Sequence, residues 1–410
     1  MKFGFIGIVA SIALSVSTGL VKPASAQNAP VTIGLIDMYG GSFAGQANAI
    51  RLGMQIAIDE ANAAGGAKGH KLALTSADMG ISVEKAITEA RRMILDDKLH
   101  YVVVGSHSGA AVALADLVRG QDVFGLGAFA TTKRFTGEEG HSMIGRGNLS
   151  TVEIGRIMAA YLKPMKEVKR IAIISPDFEF GKHFTDDFLT ALKVERPDIV
   201  VVREEWPKFG AADFTPQVTA MQASKIDMVV SSLFSGDLAN FLKAAKGFDL
   251  FNANTRLFTS GLDLLKISTF KNDLPEGTLA TVWYPFYAIK SPESAAFVAE
   301  VQKRSGTYPT GSTLVGYISG KMLADGIMKS PDPTDPKAMA KGLGDMSFDS
   351  PVGMVKIRAC DNMALYNFYV GVVKRDASLP DGIGVTNVKA YNTTNYARSC
   401  EDIVRARLRK

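Results

Sequence analysis

The residues best placed to do chemistry in this 410-residue chain are Gly105-Ser106-His107-Ser108-Gly109, between a Val-rich run and a helix-length segment. Backbone N–H groups and a hydroxyl at a helix N-terminus hold a carboxylate without a buried cation. Ser108 also suits the simpler task of capping that helix. Ala130, Thr131 and Thr132 follow the next β-type run, 123–126, and can add backbone and hydroxyl contacts from the same side. Hydrolysis is the sharpest rival reading, since the same five residues approximate a nucleophile elbow. That motif needs Ser at its centre, where this chain has His107. The other histidines, His70, His100, His141 and His183, show no metal-ligand spacing such as HExxH. Gly125-x-Gly127 is too short for a dinucleotide fingerprint, and there is no Walker A run. These residues point to binding without catalysis, cofactor or metal.

The two cysteines, Cys360 and Cys400, belong to no CxxC pair. In an oxidising compartment a disulfide between them would pin the C-terminal tail to the strand around Cys360, where geometry allows. Such a compartment is indicated by residues 1–26. Lys2 precedes an uncharged apolar run, and Ala24-Ser25-Ala26 offers the small residues a signal peptidase reads, so cleavage is expected after Ala26. Losing Lys2 and Lys22 takes the formal charge from +5 to +3. Basic residues form no long run and are not interleaved with aromatics, which argues against a nucleic-acid partner.

The elements that position these residues form a repeating pattern. Apolar runs at 31–37, 71–77 and 101–105 alternate with amphipathic segments at 46–63, 82–97 and 108–120. Runs without polar alternation read as strands covered on both faces, hence a parallel sheet between helices. The pattern restarts at 169–175 and continues to 256–260, so a second doubly wound sheet is expected. Crossovers fall at 146–148 and 282–285, with a third strand near 354–357 completing a hinge. Strands around 352–357 and 364–373 are expected to end the folded part. Two Rossmann-like α/β lobes joined by a three-strand hinge follow, the first from 27–146 plus 284–355, the second from 147–283 plus 356–410.

Several strings make this more specific. Val31-Thr32-Ile33-Gly34 opens the mature chain, and Asp59-Glu60-Ala61-Asn62-Ala63-Ala64-Gly65-Gly66 ends the first long helix. Val104-Gly105-Ser106, Gly127-Ala128-Phe129-Ala130-Thr131-Thr132, Phe178-Glu179-Phe180-Gly181 and Asp213-Phe214-Thr215 follow in order. The chain resembles periplasmic leucine/isoleucine/valine-type binding proteins over nearly its whole mature length. That resemblance implies a type I substrate-binding protein in the periplasm, monomeric, delivering a small solute to the membrane permease of an ABC importer. A ligand-sensing domain of a signalling receptor is the second reading.

The resemblance also assigns positions. Phe180 stands where the family carries an aromatic, often Tyr, and Phe234 is similarly placed after its strand. Gln46 aligns with an aromatic lid residue, a job that Tyr39 or Phe43 can take over. Amino-acid binders of the family hold the ligand's ammonium with an acid. Asp263 is the closest acid here, although direct alignment puts Gly261 at that position. The solute is therefore a carboxylate: a branched-chain or other amino acid, or an aromatic acid.

Overall fold

The computed structural model describes residues 1–4, 28–264, 266–344 and 346–409. The leader expected at 1–26 lies almost wholly outside them. The first βα series is β1 (Asn28–Asp37), α1 (Ala44–Ala63), β2 (His70–Asp78), α2 (Val83–Leu95), β3 (Tyr101–Val104), α3 (Ser108–Leu117), β4 (Phe124–Gly127) and β5 (Ile144–Arg146). These strands run parallel, and β3 and β4 are buried throughout, as their unbroken apolar sequence requires.

The second series opens with α4 (Thr151–Leu162). It continues with β6 (Arg170–Ile174), α5 (Glu179–Glu195), β7 (Val200–Glu205), α6 (Thr215–Gln222), β8 (Met228–Ser231), α7 (Ser235–Gly247), β9 (Arg256–Thr259) and β10 (Leu279–Val282). Helices α8 (Pro292–Ser305), α9 (Gly311–Lys329) and α10 (Pro336–Leu343) return to the first lobe. There Gly53 of α1 faces the backbone of α9, and Gly316 of α9 faces Ile50; a Cβ at either glycine would strike main chain. Strands β11 (Ser347–Ser350), β12 (Gly353–Arg358) and β13 (Met363–Leu365) extend the first sheet. β14 (Asn367–Arg375) and β15 (Ile383–Asn392) extend the second, and α11 (Cys400–Leu408) comes last.

The two sheets run β11-β12-β13-β5-β4-β3-β1-β2 and β15-β14-β10-β9-β8-β6-β7. The chain is an α/β protein of two lobes, with antiparallel strands added at one edge of each otherwise parallel sheet. It passes between the sheets after β5, after β10 and between β13 and β14. The third passage corrects the expected boundary. Residues 356–365 belong to the first sheet, and the run expected as one strand at 364–373 is cut at Tyr366, where the chain changes lobe. The fold also continues past 373, through β15 and α11.

The tail does not simply extend the second lobe. Cys360 and Cys400 are bonded, with Cα atoms 5.8 Å apart. Arg398 pairs with Glu138 at 3.2 Å, and Arg407 donates to the carbonyls of Thr136 (2.8 Å) and Gly137 (3.2 Å) on the first lobe. Arg156 of α4 donates to the carbonyls of Tyr396 and Ala397, both at 2.9 Å, from the second lobe.

Candidate functional site

The strand ends of the first lobe are wired together before any solute arrives. Asp37, closing β1, is fully buried. Its carboxylate accepts from the N–H of Met38 (2.9 Å) and from the N–H (3.1 Å) and hydroxyl (2.9 Å) of Ser106. Burial pushes its pKa up to about 6, against those hydrogen bonds. The glycine at 105 is obligatory, because a Cβ there would overlap the Asp37 carboxyl. Ser108 Oγ accepts the N–H groups of Thr131 and Thr132, each at 3.3 Å, and so joins the β3 and β4 loops. His107 caps α3, its Nδ1 accepting from the N–H of Ala110 at 3.1 Å. Burial drives its pKa down to about 4, so the ring is neutral with its proton on Nε2.

The second lobe answers with aromatic rings. Phe178 and Phe180 open α5, Phe234 precedes α7, and Phe209 lies on the loop after β7. Phe209 stacks on Phe178 with centroids 4.4 Å apart and reaches Phe43 of the first lobe at 4.6 Å. His107 meets Phe178 at 5.3 Å and Phe209 at 5.9 Å. Polar contacts also cross between the lobes. The Ser235 hydroxyl donates to Gln46 Oε1 (2.9 Å), Thr132 donates to Glu179 (3.0 Å), and Lys133 pairs with Asp186 (2.7 Å) and Asp187 (2.6 Å). Glu179 also takes Arg134 and His183, both at 3.2 Å; these partners, His183 foremost, hold its carboxyl below the usual range. The lobes are closed on one another.

Between them lies a tight cavity of about 20 Å³. Phe129, Ile154, Phe178, Phe180, Phe234 and Trp283 form its apolar wall; Gln46, Ser106, Thr131, Ser232 and Ser260 form its polar part. Among the described residues no Asp, Glu, Lys or Arg lines it. Because Gln46 Oε1 already accepts from Ser235, its amide NH₂ is left to donate.

Of the residues that the sequence nominates, Gln46, Ser106, Thr131, Phe180 and Phe234 line this cavity. Ser108, Gly109, Ala130 and Thr132 do not; Ser108 and Thr132 join the loops behind it. His107 sits against the aromatic rings at its mouth. Tyr39 does not line it; its backbone N–H donates to Asp78 at 2.9 Å. Asp263 is also elsewhere. It is buried at the second crossing, accepting from the N–H groups of Trp283 (2.7 Å) and Tyr284 (3.0 Å). Gly261 lines the cavity in its stead, and a Cβ there would collide with the Leu233 carbonyl and with Phe234. Sequence reasoning misses Phe209, Ile154 and Asp37. A buried carboxylate closing an apolar strand is the one pattern that could have flagged Asp37.

At the crossings, Asn148, Trp283 and Tyr366 converge, one from each passage. Asn148 Oδ1 accepts from Trp283 Nε1 and from the Tyr366 hydroxyl, both at 2.8 Å. Arg146, fully buried beside them, donates to Thr136 (3.2 Å), to the Leu149 carbonyl (3.3 Å) and to the Thr132 carbonyl. Burial lowers its pKa to about 10, which still leaves it charged. Among the described residues no group of three or more His, Cys, Asp or Glu could hold a metal ion.

Two lobes closed over a small, uncharged cavity at their strand ends define a solute-binding protein of the type I fold. The chain belongs to the periplasmic binding protein family, whose model matches residues 30–378. A Leu/Ile/Val-binding protein of Rhizobium johnstonii is 27% identical over 318 residues, covering 78% of this chain and 84% of the relative. The leucine-, isoleucine-, valine-, threonine- and alanine-binding protein of Pseudomonas aeruginosa is 24% identical, covering 92% and 96%. Among solved structures, a solute-binding protein of an ABC transporter from R. palustris in complex with 4-hydroxybenzoate superposes with a TM-score of 0.79. It is 22% identical, with 88% of this chain and 97% of that one covered. Another from R. palustris, in complex with benzoate, gives 0.78 at 19% identity, covering 88% and 98%. These relatives are binding proteins, not enzymes.

Proposed function

We propose that this protein captures a small aromatic carboxylate between its lobes and presents it to the permease of an ABC importer after export to the periplasm. The carrying observation is the cavity wall: five aromatic rings, neutral hydrogen-bonding groups and, among the described residues, no acid where an α-ammonium would need one. An α-amino acid brought into such a site would bury an unpaired cation, which costs several kcal/mol. An aromatic acid brings no cation. Its ring packs among Phe129, Phe178, Phe180, Phe234 and Trp283. Its carboxylate is met by the Gln46 amide and the Thr131 hydroxyl. Ser106, whose proton is committed to Asp37, faces the solute as an acceptor. The benzoate and 4-hydroxybenzoate complexes of proteins with the same fold support this reading.

Closure belongs to the same proposal. Solute docked on one lobe draws the other in, because only the closed form touches it from both sides. The test is calorimetry and thermal shift with benzoate, 4-hydroxybenzoate, phenylalanine and leucine. Saturable binding by the aromatic acids alone is expected. Leucine binding without any response to the aromatic acids overturns the proposal and favours the branched-chain alternative carried by the names of the relatives.

A further inference from the structure

A second cavity lies beside the second crossing, with Val282, Tyr284 and Pro285 in its wall. Tyr284, Phe286, Tyr287 and Tyr308 supply its rings, and Asp263 lies in its wall. Phe286 stacks on Tyr308 with centroids 5.1 Å apart and stands 5.2 Å from Tyr287 and 5.9 Å from Tyr284. The nearer phenols are occupied: the Tyr284 hydroxyl pairs with Ser294 at 2.8 Å, and the Tyr287 oxygen accepts the Val385 N–H.

Asp263 is different. It is 5% exposed, and both its hydrogen bonds from Trp283 and Tyr284 fall on Oδ2. Oδ1 is buried and accepts nothing from any other described residue. A buried carboxylate oxygen without a donor is costly, and is retained where a donor arrives from outside. Lys266 and Asp381 stand on the cavity wall with opposite charges. No ion pair joins Lys266 to Asp263 among the described residues.

We propose that this cavity is a second ligand site, taking a primary alkylammonium compound whose nitrogen donates to Asp263 Oδ1 and whose carbon chain lies among the four rings. An N–H donor satisfies the oxygen, a positive charge pairs with the carboxylate, and aromatic rings attract a cation while packing its alkyl chain. A neutral alcohol offers only the first of these, and a metal cation finds one oxygen where it needs several. The site is independent of the cleft proposal, since no described residue is shared between the two cavities.

The probe is n-butylammonium chloride, titrated into the full-length protein by calorimetry and NMR, with sodium chloride at equal ionic strength as control. Saturable binding is expected, unchanged when benzoate is also present. Asp263→Asn should weaken it by about tenfold or more. Because Asp263 also ties the crossing, Tyr308→Ala is the second variant; it removes one ring and should weaken the amine several-fold without altering benzoate affinity. Lowering the pH below about 7, where burial has raised the Asp263 carboxyl, should cost about tenfold per unit as the carboxylate is protonated. The groups around that carboxyl are Lys266, Asp381 and the phenols of Tyr284, Tyr287 and Tyr366, the phenols neutral throughout this range. A response equal to sodium chloride, displacement of the amine by benzoate, or a crystal of the amine-soaked protein with only water at Oδ1 overturns the proposal. Failure of benzoate to bind while the amine still does would overturn the cleft reading alone.

Discussion

Gly261 carries the ligand argument at the smallest scale. The space its side chain would fill is taken by the Leu233 carbonyl and the Phe234 ring, so no acid fits there while the aromatic wall stands. Gly261→Ala is expected to destabilise the closed lobe by about 1–3 kcal/mol, read as a lower unfolding temperature and weaker aromatic-acid binding. Unchanged values for both would show that the wall yields. His107 gives a pH signature. Its folded pKa, about 4, lies below the ordinary 6.5. The unfolded chain therefore takes up a proton first as pH falls. Its contribution to stability is full above pH 6.5 and is lost toward pH 4, by up to about 3 kcal/mol. Urea unfolding of wild type and His107→Gln at several pH values isolates this, because Asp37 and Asp263, raised by burial, push the other way in both proteins. A difference between the two that does not change with pH sinks the assignment.

At the scale of elements, periodicity revealed most of both sheets. The apolar runs at β1, β3, β6, β8 and β9 are uninterrupted, because their strands are covered on both faces. The edge strands were harder to read. β15 alternates buried and exposed residues weakly and carries Asn, Lys and Thr, so nothing in its composition separates it from a loop. α4 went unread, although Ser150 and Glu153, which exchange hydrogen bonds at its start, are the pair that could have marked it. Tyr366 hides a change of lobe inside an apolar run, since a strand has the same residue pattern whichever sheet it joins. The site was half legible for a similar reason. Strand-end hydroxyls have a fixed position relative to the pattern, whereas Phe209 reaches the cleft from a loop whose path only tertiary packing decides. The tail is the element with the clearest consequence. Its disulfide closes a loop across a sequence separation of 40, so Cys360→Ser/Cys400→Ser should lose about 2–4 kcal/mol, seen as a drop in unfolding temperature. An unchanged temperature would mean that Arg398 and Arg407 hold the tail unaided.

For the whole molecule, closure depends on how three passages of chain are bound together. Asn148→Ala would leave the Trp283 indole N–H and the Tyr366 hydroxyl buried without their acceptor, at about 1–3 kcal/mol each. Its expected effect is a less stable protein whose apparent affinity for solute also changes, while a cleft-wall substitution such as Phe180→Ala alters affinity alone. Equal behaviour of the two variants would count against Asn148 as the organiser of the crossings.

In the proposed closure, a single amide oxygen gripping all three passages centres the swing. In any rigid rotation, displacement grows with distance from the pivot, so the lever arm is shortest at Asn148 and longest at the outer lips. A dye pair at exposed Ser42 and Lys208, on opposite lips, should register almost the full travel. A pair placed around Trp283 and Tyr366 should stay nearly still through the same cycle.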